Sequence, residues 1–462
     1  MGTSSKVVVF GSPMAVGHVR PLMPLAARLG ARGFDVVWAV SGDPDEPASV
    51  WKEPFAKMGV TFVDVDAVAP FARNDAFPSL SAASVYPRAL ARSNDIAAGA
   101  AIAIAAAARG RTVVAGVNDY FALWAYVAMR KLGIDRIKTV VSAFPSSLSA
   151  PSLDVGAADP VVQRELRDLR VRHADVSGLD RPLRAGLIPD DPSVEVLSFS
   201  SKELCLDPPD YVRLVGAHVD ALPSVDDLGK AKPEHQALVT RLRAARESGA
   251  RVVLLSVGTF VTKMALRMGP PYSDMLKHLY SSAARAALRA GAVVVASTTV
   301  GKPEDFGVDE ATLGKGTRDR VITMSFVPQP LLFAHGLVDV MLMHGGANTF
   351  HEMVLAGIPV LVWPVFGDQE SVAETAGKLG IGVPIETPMY PKLAGAQPLA
   401  RIAEETLPKM LGPGESEWKA AAAPPSSWVS RRSRLSTGNF ATTQSTLRGR
   451  SLDRPLRPRK PP

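Results

Sequence analysis

The sequence contains a single cysteine, Cys205, in 462 residues. An intrachain disulfide is therefore excluded, and a reducing, cytoplasmic setting is the expectation. A charged segment leading into an apolar signal region is also missing, since the first apolar run begins directly after Lys6, so secretion is not indicated. No apolar run reaches the roughly 18 residues that a membrane span needs. The nearest, Ile96 to Ala108, is alanine-rich and reads as a buried helix. The G-x-G-x-x-G dinucleotide fingerprint is absent, because Gly11 and Gly17 do not form it. Charge, finally, is lacking where it would matter for nucleic acid. The net charge is +7, yet from Pro424 to Pro462 nine Lys and Arg stand against one Asp, which leaves 43 basic and 44 acidic residues for everything before. That body is close to neutral, and no nucleic-acid partner is expected. The tail, rich in Arg, Ser, Thr and Pro, reads as a disordered, solvated appendage with at most weak contact to anionic membrane.

What is present is the composition of a soluble globular protein, 47% hydrophobic and 21% charged, in a chain longer than one core usually supports. Val7 to Phe10, Val36 to Val40, Val60 to Val63 and Thr112 to Val117 read as buried strands, with amphipathic or alanine-rich stretches between them. After about Gly216 a polar, proline-containing stretch without periodicity intervenes, and then the pattern restarts with "RVVLLSVGTF", "AVVVAS", "VDVMLMHG" and "IPVLVWP". The expected organisation is an α/β domain over 1–216, a linker over 217–234, a second α/β domain over 235–423 and a basic tail over 424–462. Both domains are expected to be Rossmann-like and doubly wound, facing one another across a cleft.

Two stretches carry chemistry. In "FGSPMAVGHVRPLMPLAARL", residues 10–29, a strand passes through a turn into a helix, and His18 sits in the turn, beyond the carboxyl end of the strand where such sheets bind ligands. From this stretch alone, His18 is either a group placed for chemistry or a histidine that is merely capping or exposed. The second stretch, residues 326–369, runs from a strand into His344-Gly345-Gly346-Ala347-Asn348-Thr349 and resumes helical spacing at Phe350, Met353 and Val354. A glycine-containing loop at a helix N-terminus offers backbone N–H groups and a positive dipole end to a phosphate. His344 can add a donor there, Asn348 or Thr349 a hydrogen bond, and Glu352, one turn on, an acceptor for sugar hydroxyls. The alternative is an ordinary capped helix with Gly346 allowing the turn.

The second stretch as a whole resembles the donor-binding signature of the nucleotide-sugar-dependent family 1 glycosyltransferases, the UDP-glycosyltransferase superfamily with the two-domain GT-B fold. Pro328-Gln329 matches its P-Q, His344 to Thr349 its H-x-G-x-N-[ST], Glu352 its following glutamate, Gly357 to Pro359 its G-[IV]-P, and Asp368-Gln369 its closing D-Q. "HGGAN" and "FGDQ" look closer to animal and microbial members than to plant ones. Gly17-His18-Val19-Arg20-Pro21 matches the amino-terminal G-H-x-x-P, and Ser256-Val257-Gly258-Thr259 resembles the phosphate-side loop.

The resemblance implies that His18 is a general base oriented by Asp119, which otherwise reads as a helix cap. It implies a donor site of Ser256, Gly258, Thr259, Phe326, Val327, Gln329, His344, Gly346, Ala347, Asn348, Thr349, Glu352, Asp368 and Gln369. It further implies transfer of a hexose, first of all glucose from UDP-glucose, to a small lipophilic hydroxyl acceptor. The nucleotide sugar is then a co-substrate, no other cofactor and no metal are needed, and the protein is a monomer or weak dimer. Three departures stand out: Phe326 occupies the place of a uracil-stacking tryptophan, Val372 replaces an asparagine, and the resemblance fades after about Ala423, where relatives continue into a closing helix. Two rival readings remain. One is a metal-dependent glycosyltransferase using Asp43-Pro44-Asp45 or Asp64-Val65-Asp66, the other a non-catalytic nucleotide-sugar or lipophile binding protein.

Overall fold

In a computed structural model of the chain, residues 5–42, 47–67, 82–149, 160–185, 187–216, 225–412 and 414–424 are described. The Asp43 and Asp45 pair, the tail beyond Pro424, and parts (71–81 and 150–153) of Phe71–Arg88 and Phe144–Leu153, two stretches that the sequence suggests as acceptor-pocket loops, lie outside them. The described residues up to Ala423 form one compact unit.

This unit is built on two sheets whose strands all pair in parallel. The first contains β1 (Lys6–Pro13), β2 (Asp35–Ser41), β3 (Thr61–Asp64), β4 (Thr112–Asp119), β5 (Ile137–Val141), β6 (Glu195–Ser198) and β7 (Val212–Leu214), in the order β3-β2-β1-β4-β5-β6-β7. The second contains β8 (Val252–Ser256), β9 (Val293–Ser297), β10 (Val321–Met324), β11 (Val340–Met343), β12 (Val360–Val362) and β13 (Gly382–Pro384), in the order β10-β9-β8-β11-β12-β13. Each order reverses direction once, between β1 and β4 in the first sheet and between β8 and β11 in the second.

Both faces of a parallel sheet are covered by its crossover helices, so its strands carry continuous apolar runs. Along β1 the alternation of the pleat sends Val7 and Val9 to one face, against Ile96, Ala97, Ala100 and Ile104 of the helix Ala82–Ala108. Val8 and Phe10 go to the other, with Trp38, Leu22, Ala26 and Phe55. The stretch from Ile96 to Ala108 is thus the inner part of a long helix with a buried face, and no helix among the described residues is long and apolar enough to cross a membrane. In the second sheet Val253, Leu255, Val294, Ala296 and Leu342 pack on Leu276, Tyr280, Ala283 and Ala287 of the helix Tyr272–Arg289.

The eight strand-like runs read from the sequence are all strands. β5, β6, β7, β10 and β13 do not stand out in the sequence, because polar residues, or glycine and proline, break their apolar runs: Lys138, Glu195, Arg213, Thr323, and Gly382 with Pro384. Of the stretch expected as a linker, 217–234, the described part 225–234 carries regular structure. A 3₁₀ turn covers Val225–Lys230, and Pro233 opens the helix Pro233–Glu247 after an extended Lys232. Proline at the first helical position gives up only an N–H that the helix does not use.

One close approach fixes the geometry near β1. The helix Leu123–Lys131 lies so tightly on the sheet that a Cβ added at Gly11 would sit 2.2 Å from Ala125 Cβ. Both atoms belong to backbone-fixed positions, so neither can yield by changing rotamer. Gly11→Ala is therefore expected to cost about 1–3 kcal/mol through overpacking, read as a lower urea midpoint of unfolding. An unchanged midpoint would show that the helix can lift at no cost.

Candidate active site

The two reversals of strand order place two crevices beyond the carboxyl ends of the strands, and the residues singled out from the sequence collect there. His18 follows β1, and Asp119 is the last residue of β4, its neighbour across the first switch point. Ser256 ends β8 and His344 follows β11, its neighbour across the second.

His18 lies in the short helix Val16–Val19, anchored by the fully buried Val19, and its imidazole is partly exposed. Nδ1 is 2.9 Å from Asp119 Oδ1 and 2.7 Å from Ser142 Oγ. Asp119 is completely buried, and its Oδ1 also accepts the Phe121 N–H at 2.9 Å. The carboxylate of Asp119 shapes the turn before the helix Leu123–Lys131, whose N-cap is Ala122 with no side-chain cap, and that same turn fixes it beneath the imidazole. Phe121 meets the His18 ring edge-on at 5.0 Å. With Nδ1 occupied by Asp119 and Ser142, Nε2 is the nitrogen left to exchange a proton with a ligand.

Burial by itself pushes the His18 pKa down, but the charge and hydrogen bond of Asp119, helped by the charge of Asp368, prevail and raise it above 6.5. Asp368 moves the other way from an ordinary carboxyl, to about 6, because burial outweighs the hydrogen bond from Phe144 and the attraction of His18. His18 is thus flanked by a fixed carboxylate and by one that titrates near neutrality.

On the donor side, Gly258 (φ +80°) and Gly346 flank the imidazole of His344. A Cβ at Gly258 would come 2.5 Å from His344 Cε1, and one at Gly346 2.7 Å from Nε2. These two glycines are required by the ring between them. Burial holds His344 down to about 4, so it is a neutral imidazole with one N–H to give, and its Nδ1 has no partner among the described residues. Gly345, at φ +96°, turns the chain into Gly346, which opens the helix Ala347–Ala356 without a side-chain cap. The N–H groups at this end have no side-chain acceptor.

The structure joins further members of the sequence-derived set. Gln329 Nε2 donates to Ser256 Oγ at 2.8 Å, and Val327, buried, accepts the Gln329 N–H. Thr259 opens the helix Thr259–Met268 and is exposed. Phe326 is an exposed ring with His235 beside it at 6.0 Å. Other members are occupied by protein groups. Gln369 is buried, and its Oε1 accepts the N–H groups of Val365 and Phe366, so it holds its own loop. Glu352 is buried and pairs with Arg20 at 2.9 Å. Asn348 donates to the Gly17 carbonyl at 3.3 Å, and Asp368 accepts the Phe144 N–H at 2.8 Å. Val372, where an asparagine was expected, is fully buried in the helix Gln369–Lys378.

Sequence reasoning did not single out Ser142 or Arg20 as members of this site, and it offered Phe144 only as the start of a candidate acceptor-pocket loop, Phe144–Leu153. Ser142 was recoverable in principle, as the first residue beyond β5, the strand next to β4. Arg20 lay within a quoted motif but had no partner until the fold supplied Glu352. Of the Asp-x-Asp pairs, Asp64 and Asp66 hold turns: Asp64 accepts the Asp66 N–H at 3.0 Å, and Asp66 the Gly42 N–H at 2.6 Å. Among the described residues no cluster of three or more His, Cys, Asp or Glu is disposed to hold a metal.

Comparison with known proteins follows the same lines. Residues 220–389 match the family described as "UDP-glucoronosyl and UDP-glucosyl transferase". Among curated proteins, UDP-glycosyltransferase 708A6 of Zea mays is 38% identical over 96 residues, 19% of this chain, and UDP-glycosyltransferase stmC of Aspergillus ustus is 28% identical over 109 residues, 24% of this chain. In each case the chain covers 20% of the relative's length. Solved structures match far more of it. Phytolacca americana UGT2, complexed with UDP-2fluoro-glucose and pterostilbene, aligns with a TM-score of 0.60 at 16% identity, covering 95% of this chain and 97% of that one. Medicago truncatula UGT71G1, complexed with UDP-glucose, gives 0.60 at 14% identity, covering 91% and 92%. The fold is GT-B.

The electrostatics of His18 generate a direct test. Its imidazole is expected to titrate above 6.5 by NMR in the wild type and below the wild-type midpoint in Asp119→Asn, where burial is no longer offset by a charge. A group raised in this way contributes stability below its unfolded pKa and loses it as pH rises through the folded value, so the mutant is expected to lose stability mainly on the acid side. A wild-type midpoint at or below 6.5 would show that burial outweighs the charge of Asp119.

Proposed function

We infer that this chain, a member of the UDP-glycosyltransferase family, transfers a hexose, first of all glucose from UDP-glucose, to a hydroxyl of a small lipophilic acceptor with inversion at the anomeric carbon. The observation that carries this reading is the His18 imidazole held at Nδ1 by a fully buried Asp119, at the crevice that meets the donor-signature helix. The complexes of two structural neighbours with a UDP-sugar or an analogue, one of them also with pterostilbene, support the choice of substrate classes.

In this reading neutral His18 takes the proton of the acceptor hydroxyl through Nε2. The oxygen attacks the anomeric carbon from the face opposite the nucleotide, the bond from that carbon to the diphosphate oxygen breaks, and UDP leaves with the electron pair. Asp119 stabilises the imidazolium that forms and keeps the proton-accepting nitrogen outward. The charge growing on the diphosphate is met by the N–H groups of the helix Ala347–Ala356 and by a neutral His344 donor. A base has to be unprotonated, so activity rises with pH through the raised pKa of His18.

Incubation with labelled UDP-glucose and an acceptor panel tests the reading, with proton NMR of the product expected to show an inverted anomeric centre. A retained configuration, or no transfer to any acceptor by a protein that binds UDP-glucose, sinks it. His18→Ala is expected to lower turnover by about 10²–10⁴-fold, or some 3–5 kcal/mol, while UDP-glucose binding persists, because the lost interaction is made in the transition state. Near-normal single-turnover rates in that variant would remove His18 from the role.

Stabilising the leaving diphosphate by backbone N–H groups calls for no metal. Transfer is therefore expected to continue in EDTA, whereas loss of activity restored by added manganese or magnesium would bring back the metal-dependent alternative.

A further inference from the structure

The turn that supplies His18 also supplies Arg20, and proton transfer makes no use of it. The two flank Val19, whose side chain is fully buried and anchors the turn. They reach different partners. His18 meets Asp119 within its own half of the molecule, while Arg20 crosses to the other half, where Nη2 lies 2.9 Å from Glu352 Oε1. The burial of this pair is unequal: the Arg20 side chain is 40% exposed and that of Glu352 6%. A carboxylate so far removed from water keeps its charge only beside a compensating cation, and a guanidinium is a cation at every accessible pH.

Glu352 lies on the helix Ala347–Ala356 four residues after Asn348, about 6 Å further along the axis than the phosphate-binding end. A nucleoside diphosphate whose phosphates rest on that N-terminus has its ribose about one turn away. An ionised carboxylate there is an acceptor only, and a vicinal diol offers it two donors on adjacent carbons.

We infer that Arg20 is a positioning residue for the donor: from the acceptor half it holds Glu352 ionised and in a single orientation, so that Glu352 reads the ribose diol of the nucleotide. The inference rests on the nucleotide-sugar reading of the site above. Its consequence is that discrimination between a ribonucleotide and a deoxyribonucleotide depends on a residue of the half that does not bind the nucleotide. A lysine ammonium carries the same charge without the guanidinium fork, so lysine can replace arginine in part, whereas an uncharged residue cannot.

The test is calorimetric binding of UDP and of 2′-deoxy-UDP to wild type, Arg20→Gln, Arg20→Lys and Glu352→Gln. The wild type is expected to prefer UDP by about tenfold or more, as for a hydrogen bond to a charged acceptor. Arg20→Gln and Glu352→Gln compress the preference to about twofold, their combination compresses it no further, and Arg20→Lys keeps most of it. With UDP-glucose the Arg20→Gln defect falls more on the donor KM than on kcat. Damage to the fold weakens both nucleotides alike and leaves their ratio intact, as does a direct contact of Arg20 with phosphate; an unchanged ratio in Arg20→Gln therefore overturns the inference. A wild type that binds UDP without preferring it to the deoxy form overturns it too. A wild type that binds neither nucleotide overturns the nucleotide-sugar reading as well, so the two failures are distinguishable.

Discussion

A parallel sheet whose strand order reverses leaves a gap where the connections diverge to opposite faces, and in this protein that constraint is met twice. Everything chemical follows from it. At the β1/β4 reversal the chain places an imidazole after one strand and a carboxylate at the end of the next. At the β8/β11 reversal it places a glycine turn after one strand and a histidine after the next. The tight seat of Gly11 on Ala125 belongs to the same geometry, because the helix that follows Asp119 has to lie close enough for the carboxylate to reach across to the β1 turn.

The two site histidines show how environment divides one side chain into two functions. Both lose water on folding, which favours the neutral form. His18 has carboxylates nearby and is raised in spite of burial, so it takes up a proton readily and is still neutral in alkaline solution. His344 is enclosed by the two glycine backbones, and burial alone sets it at about 4. It stays uncharged across the physiological range and can act only as a hydrogen-bonding group. The ring that can exchange a proton and the ring that stays neutral are thereby different residues, as the proposed reading requires.

Much of this was legible because the chemistry is carried by contiguous stretches. Residues 344–352 state a turn, a helix start and the polar side chains on it in nine letters, and the apolar runs before them read as buried strands. The His18–Asp119 pair spans 101 positions and depended on family resemblance. No pattern in the sequence couples a residue after β1 to one at the end of β4 until the sheet order is known. What stayed illegible was of two kinds. Strands such as β7 and β13 carry Arg213, or Gly382 and Pro384, in place of an apolar run, and they form because a neighbouring strand presents an edge to pair with. Contacts between the halves, such as Arg20 with Glu352 and Phe144 with Asp368, depend on how two separately legible units meet, which neither unit's sequence encodes alone.

Those contacts also bear on how a ligand enters. Arg20–Glu352, Asn348–Gly17, Phe144–Asp368 and the 3.2 Å contact of Ser200 with His351 all join the two halves. Three of the four use a residue of the donor signature. A neutral hydrogen bond contributes about 0.5–1.5 kcal/mol net, and an ion pair with a partly exposed member adds little more. Their sum is a few kcal/mol, within what binding a charged nucleotide sugar can supply. In the proposed reading Asn348 and Asp368 exchange protein partners for ligand partners without being left buried and unpaired, while Glu352 keeps Arg20, so opening the cleft and loading it draw on the same few hydrogen-bonding groups.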